Sequence, residues 1–268
     1  MSDDDASTAV RRWREAEAES GAVLLDGFHT LKHALRFGAE VRVAVAADKE
    51  AALTLSRELA DDMTAPLEEL LIEVDRQRLR ELVPRVHPTQ LAALATRRGR
   101  EENLTVLAER ARRSPIVVLD NPRNLGNIGA VVRLAAGFGA TGVITTGDID
   151  PWHPNAVRAG AGLHFATAVE RLELDDFPEG PLYVLDPDGE DIRGMGLPDD
   201  ALLVFGSERH GVSAPVRERA TRLVSLPMRP RVSSYNLATS VAMALFHWGG
   251  PRPEHPEHPG HPEHPSAR

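Results

Sequence analysis

Three segments in the second half of the chain place polar residues at spacings that suit chemistry. The first is IVVLDNPRNLGNIGAVVRLAAGFGATGVITTG, which reads as strand, glycine-containing turn, helix and strand. Asn124, Gly126, Asn127 and Gly129 build a tight polar turn, and glycines there let the backbone approach a ligand closely. Arg133 follows Asn127 by six residues, about 1.7 helical turns, so the two share a site only if Asn127 sits in the loop or the first turn. A planar guanidinium so placed suits a phosphate, or a hydroxyl beside one. A dinucleotide-binding loop is the competing reading. Asp148 lies at about the right distance for it, but the glycines at 126, 129, 137 and 139 do not give G-x-G-x-x-G.

The second segment is LLVFGSERHGVS, a strand ending at Gly206 and followed by Glu208, His210, Gly211 and Ser213. A carboxylate just beyond the C-terminal end of a parallel strand stands where open α/β sheets bind ligands. An ordinary turn with a helix cap at Ser213 is the plain alternative. The third segment is RLVSLPMRPRVSSYNLATSVAMALFHW, in which a strand leads to Pro227 and a polar loop. Ser233, Ser234 or Asn236 in that loop could simply cap the apolar helix that follows.

The elements that must position these residues alternate. A short charged helix is expected near 9–20. Strands are expected at GAVLLDG, VRVAVAA and LLIEV, with helices at FHTLKHALRFG, 50–60 and DRQRLRELV, giving a small α/β unit over 20–95. Residues 96–114 read as a junction. From Pro115 a second α/β run begins. IVVLD, GVITTG, PLYVLD, ALLVFG and RLVSLP are its strands; 127–137, NAVRAGAGLHF, APVRERA and 236–248 are its helices. Strands this uniformly apolar indicate a parallel sheet covered on both faces. Residues 249–268, rich in Pro and His, read as a disordered tail. His255, His258, His261 and His264 recur every three residues, so on polyproline II geometry they would share a face that could hold a metal, with a solubilising tail as the alternative.

The chain has no cysteine, which excludes disulfides, Cys-built zinc sites and a Cys nucleophile. It shows no apolar run of transmembrane length, and the acidic start MSDDDASTAV does not read as a secretory signal, so a cytoplasmic protein without membrane contact is expected. The net charge of −9 argues at first against nucleic acid. Its distribution is uneven: residues 1–74 carry 8 Lys/Arg against 16 Asp/Glu, whereas 75–113 carry 10 against 5. That basic island could track a phosphate backbone, or be a solvated helix face and a linker.

Taken together and in this order, the three segments resemble the signature motifs of the SPOUT superfamily, in its SpoU/TrmH branch of RNA 2′-O-ribose methyltransferases. NLGNIGAVVR fits the family pattern N-x-G-N-x-G-A-x-x-R, GSERHGVS fits G-x-E-x-x-G-x-S, and LPM with SYNLATSVAMAL fits the third motif. The resemblance covers about 115–248. Residues 20–95, through GFHTLKHAL, are similar to the L30e-type RNA-binding domain that many members carry in front. Arg229-Pro230-Arg231 stands where the family commonly has glycine soon after the methionine, and Tyr235 where leucine is usual.

The resemblance implies an α/β fold whose C-terminal α/β/α domain, with a parallel sheet, holds a deep trefoil knot. It implies S-adenosylmethionine as cofactor, a homodimer and an RNA partner. The cofactor would lie among Thr145, Thr146 and Gly147; Phe205, Gly206 and Glu208; Leu226, Pro227 and Met228; and Tyr235 and Leu237. Arg133 takes the catalytic position, with Asn127, Glu208, Ser234 and Asn236 placing the ribose and the guanidinium. Arg97, Arg98 and Arg100 of the basic island would meet RNA. The front domain favours ribosomal RNA over tRNA. Base methylation by another branch of the superfamily, and an idle RNA-binding protein of the same fold, are the rival readings.

Overall fold

The computed structural model describes residues 3–249, so the proposed tail beyond Gly249, with its four histidines, lies outside the described residues. The front half is built on four strands: β1 (Ala22–Asp26), β2 (Val41–Ala46), β3 (Leu71–Glu73) and β4 (Leu91–Thr96). Their order is β1-β4-β2-β3, with β4 antiparallel to β1 and β2, and β2 parallel to β3. The alanine-rich β4, LAALAT, is the strand that the sequence pattern does not announce. It is central in the sheet and nearly wholly buried, so its small residues leave room for helices on both faces.

Five helices flank this sheet: α1 (Asp3–Glu17), α2 (Phe28–Arg36), α3 (Lys49–Leu59), α4 (Thr64–Leu70) and α5 (Arg76–Leu82). The first begins and ends earlier than the expected 9–20. Its buried Ala6, Ala9, Trp13 and Ala16 recur at helical spacing, and the last three pack with Val43, Val45 and Leu79. Each fully buried large side chain of this kind contributes about 2 kcal/mol. Asp48 and Asp75 cap α3 and α5, accepting from the Ala51 and Arg78 amides at 2.8 Å each.

The junction is not a bare linker. It contains α6 (Arg100–Leu107), whose buried Asn103 donates to the Val169 carbonyl at 3.0 Å. The back half then runs β5 (Ile116–Asp120), α7 (Leu125–Phe138), β6 (Gly142–Thr145), α8 (Pro154–Ala159), β7 (Ala168–Arg171), β8 (Leu182–Asp191), β9 (Leu202–Gly206), α9 (Ala214–Glu218), β10 (Arg222–Ser225) and α10 (Leu237–Gly249). The six strands are all parallel, in the order β10-β8-β9-β5-β6-β7. Strand β5 is buried at every position, as the uniformly apolar IVVLD requires. Strand β8 continues past PLYVLD because the ladder shifts register between Leu223 and Val224 of β10.

Helices α7 and α10 pack on each other over one face of this sheet. Their Ile128, Val131, Val132, Val241, Ala244 and Leu245 share a buried cluster with Val117, Leu119 and Leu203 of the strands, and that cluster continues into Leu25, Phe28 and Leu31 of the front half. The two halves are also tied by polar contacts. Arg158 pairs with Asp26 at 3.2 Å, and His33 Nδ1 donates to the Ala161 carbonyl at 2.9 Å. Gly162, at φ +76°, lies so close to the Thr30 carbonyl that no side chain fits there.

Candidate active site at the C-terminal edge of the parallel sheet

The chain order reverses at the neighbouring strands β5 and β9, and the loops leaving their C-terminal ends face each other. Asp120 closes β5 and organises these loops. Its Oδ1 accepts from the Thr146 hydroxyl at 2.9 Å and its Oδ2 from the Ser213 amide at 2.6 Å. The Thr146 hydroxyl in turn accepts from the Asn121 amide at 2.8 Å. One buried carboxylate thus joins the loops after β5, β6 and β9. It lies outside the three motifs. Its one signal was an acid ending an otherwise apolar buried strand.

Asn124 caps α7, accepting from the Asn127 amide at 3.0 Å. Asn127 therefore stands in the first helical turn, the condition under which it can share a site with Arg133. The Asn127 side chain is a bridge. Its Nδ2 donates to Glu208 Oε1 at 2.5 Å, while its Oδ1 accepts from Asn236 Nδ2 at 3.1 Å. Asn236 uses its own Oδ1 to cap α10, accepting from the Ala238 and Thr239 amides at 2.9 and 3.3 Å. Capping and site-building are thus two uses of one residue. The bridged residues lie 81 and 109 positions from Asn127 in sequence.

Glu208 is held out by a tight turn. Ser207 and Gly211 exchange backbone hydrogen bonds at 3.0 Å, and Gly206 lies against the backbone of Gly211 and Val212, where a Cβ would collide. The loop between β10 and α10 is closed by Tyr235, whose hydroxyl donates to the Pro227 carbonyl at 2.9 Å. Arg231 in this loop has φ +73°. Leu226 and Met228 are half-buried, Phe205 and Leu237 buried. Thr145, at the end of β6, is fully buried with its hydroxyl lacking a partner among the described residues. Gly147, two residues further on, lies in the left-handed region.

Two of the five expected catalytic residues stand outside the hydrogen-bonded trio. Arg133 is exposed on α7 and makes no hydrogen bond or ion pair among the described residues. Ser234 is exposed in the loop before α10 and likewise makes no hydrogen bond among the described residues.

Arg97, Arg98 and Arg100 are placed differently. Arg100 Nη1 lies 2.9 Å from Glu170 Oε1, and Arg97 Nη2 lies 3.6 Å from the same oxygen. Arg97 also reaches Asp150 at 3.5 Å and sits 5.7 Å from the Trp152 ring centre. Arg98 pairs with Glu102 at 3.0 Å and donates to the Phe165 carbonyl at 3.3 Å. Arg97 and Arg100 therefore fasten the junction to the back sheet, Arg98 pairs within the junction itself, and a phosphate would have to compete with carboxylates for all three.

A family model described as the SpoU rRNA Methylase family matches residues 114–246. This half of the chain belongs to the SpoU rRNA methylase family. A 23S rRNA (adenosine(1067)-2′-O)-methyltransferase of Streptomyces laurentii is 33% identical over 142 residues, 48% of this chain and 52% of that relative. A tRNA/rRNA methyltransferase of Archaeoglobus fulgidus that has not been characterised is 34% identical over 145 residues, 49% of this chain and 62% of its own length. The chain thus spans a little over half the length of these relatives.

Among solved structures, the SpoU methyltransferase AviRb from Streptomyces viridochromogenes, in complex with AdoMet, has a TM-score of 0.69 at 22% identity. The likeness covers 90% of this chain and 96% of that one. An AdoMet-bound rRNA methyltransferase from Sinorhizobium meliloti also scores 0.69, at 23% identity and with coverage of 90% and 92%. At these identities the likeness is one of fold, and it takes in both sheets. The SpoU domain here is therefore an α/β fold with a parallel sheet. Among the described residues no helix is long and apolar enough to cross a membrane.

Proposed function

We propose that this protein transfers a methyl group from S-adenosylmethionine to a ribose 2′-hydroxyl of RNA, ribosomal RNA in preference to tRNA. The observation that carries the reading is the Asn127–Glu208–Asn236 bridge. It draws the three motifs of a SpoU domain to one point, on the helix that also carries Arg133. The reading extends to the whole chain: a charged segment over 1–19, an L30e-like RNA-binding domain over 20–95, a junction over 96–114, a SpoU domain with a deep trefoil knot over 115–248, and a tail over 249–268. A cytoplasmic homodimer completes it. Thr239, Ala242, Met243 and Phe246 of α10 fall at helical spacing on a half-buried to exposed face, and Phe246 is 73% exposed, which supports a second copy of the chain covering that helix.

The residues around the proposed cofactor pocket fit the group. The orphaned Thr145 hydroxyl, the backbone turn at Gly206 and the Tyr235-closed loop offer polar groups at the ends of β6, β9 and β10. When bound, S-adenosylmethionine would supply a methyl already activated on a sulfonium, to take the place of the 2′-hydroxyl proton, which would pass to solvent water. The chain's own task is alignment and stabilisation of charge on the attacking oxygen. Asn127, held from both sides, fixes the first turn of α7 and the direction of Glu208. Guanidinium groups do not give up a proton in proteins, so Arg133 is not assigned as the base. It orients the 2′-hydroxyl and a neighbouring phosphate instead, favouring the alkoxide. Ser234 stands in the loop that would cover the ribose.

The test is tritiated-methyl transfer to RNA from cells lacking the protein, followed by nuclease digestion and search for 2′-O-methylnucleotides. Arg133→Ala should cut transfer by about a thousandfold, the scale of losing one charge-stabilising donor, while cofactor affinity measured by calorimetry stays within about twofold. Equal loss of both would overturn the assignment of Arg133.

A further inference from the structure

One face of α2 carries a stripe of basic residues that lies outside the three motifs. His29, Lys32, His33 and Arg36 fall at the i, i+3, i+4 and i+7 positions of FHTLKHALR, opposite the buried Phe28, Leu31 and Ala34. Two of the four are spoken for. His33 anchors the stripe to the back half through the Ala161 carbonyl, and Arg36 grips Asp62 with two hydrogen bonds. His29 and Lys32 form no hydrogen bond or ion pair among the described residues. His29 is exposed and rests edge-on against Phe28. Lys32 is only 8% exposed, with its ammonium 5.9 Å from the Phe28 ring centre.

The stripe and Arg133 approach one short segment from two sides. His33 of the stripe bonds the Ala161 carbonyl, while Gly129, one helical turn before Arg133 on the same face of α7, lies against the Gly160 amide, and both helices touch the turn Leu163–Phe165. The mutual charge is felt: burial first, then neighbouring cations including Arg133, lower the pKa of both His29 and Lys32. Asp62 pulls Lys32 the other way, but Arg36 already holds it. A largely buried lysine near an unpaired arginine, with the nearest carboxylate already held by Arg36, is a costly arrangement for stability alone. An anion seated between them relieves it.

We propose that Lys32 and His29 of α2, together with Arg133 of α7, form a seat for one backbone phosphate of the RNA strand being methylated. The front half then contributes directly to the site in the back half. The class of anion follows from the reading of the protein as an RNA methyltransferase, on which this inference rests, since every 2′-hydroxyl lies beside a phosphodiester.

The experiment uses the full chain and, as probe, unmethylated ribosomal RNA transcribed in vitro. Binding is measured by filter retention between 50 and 300 mM KCl, and cofactor affinity by calorimetry. Lys32→Gln should weaken RNA binding roughly fivefold at 0.1 M salt and reduce the slope of log K against log salt by about 0.7–0.9, the loss of one phosphate contact. Cofactor affinity should stay within about twofold, and Lys32→Arg should restore the slope. His29 is exposed, so His29→Glu keeps the fold available while placing a carboxylate in the seat; it should weaken RNA binding about tenfold or more. A folded Lys32→Gln protein with an unchanged slope, or His29→Glu with unchanged affinity, would overturn the seat. If wild type binds RNA with the expected slope changes in its variants yet transfers no methyl, the methyltransferase reading fails and the seat stands.

Discussion

The arginines at the junction and the arginine on α7 are chemically identical groups put to opposite uses. Arg97 and Arg100 converge on Glu170, whose side chain is 2% exposed, and Arg97 also lies on Trp152. Arg133 stands exposed with no partner among the described residues. A guanidinium matched to a buried carboxylate holds structure together, because separating the pair strands a charge in a poorly solvated place. A guanidinium left unmatched on a rigid helix is available to a ligand, and its own fold has little invested in it. Local basic density therefore does not locate the chemistry. What locates it is which cations the fold has left without a carboxylate.

Two substitutions separate these uses most sharply. Arg133→Ala should cut transfer by about a thousandfold while leaving stability within about 0.5 kcal/mol, as for an exposed residue without structural partners. Glu170→Gln should do the reverse. It leaves Arg97 and Arg100 facing a neutral amide and weakens the Asn103 contact at 3.4 Å, costing about 2–3 kcal/mol in urea denaturation. That figure lies below the value for a wholly buried pair because Arg100 is half exposed. Methyl transfer per folded molecule should be almost unaffected. If Glu170→Gln removed activity from folded protein, the junction would be part of the site and the contrast would collapse.

A second separation uses acid. His164 lies fully buried beside Trp152, the ring on which Arg97 rests. Its Nε2 donates to the Pro151 carbonyl at 3.0 Å, and its Nδ1 has no partner among the described residues. Burial pushes its pKa from 6.5 down to about 4. Because the folded value is depressed, the unfolded chain binds the proton first as pH falls. Stability from this group is complete above about pH 6.5, declines below it, and is exhausted near pH 4. At pH 5 the loss is about 2 kcal/mol, following from about 1.4 kcal/mol per unit of separation. Denaturation midpoints at pH 7.5 and 5.0 would show it, and His164→Gln should flatten the difference. An unchanged difference in that variant would assign the acid sensitivity elsewhere.

The same division explains what the sequence discloses. IVVLD and ALLVFG announce parallel strands because burial on both faces admits only apolar residues, and the glycine, asparagine and proline spacings announce the turns that carry Asn127, Glu208 and Asn236. Strand β7, AVER, escapes notice because its Glu170 reads as a surface residue until its arginines are seen, some 70 positions earlier in the chain. Helix α6 escapes for the same reason: its charged residues look like a linker, and the buried Asn103 gives no apolar stripe. Asp120 was invisible as an organiser since its amide partner, Ser213, is 93 positions away. A residue's type and its neighbours in sequence are legible; whether its charge is already matched is a property of tertiary structure.

The finest test lies inside the site, at the departure from the family pattern. Tyr235 stands where leucine is usual, and its hydroxyl donates to the Pro227 carbonyl across the loop that would line the cofactor pocket. Leucine cannot make that bond. In a loop that also holds Arg231 in the left-handed region, the tie restricts the unliganded chain to fewer conformations. Tyr235→Phe keeps the ring and removes the donor, so the net loss is that of one partly exposed hydrogen bond, about 1 kcal/mol. Cofactor affinity by calorimetry should fall about fivefold, with stability in urea nearly unchanged and the transfer rate at saturating cofactor within about twofold. An unaltered affinity would mean that the proline carbonyl is equally well placed without the tie, and that the loop is shaped by its backbone alone.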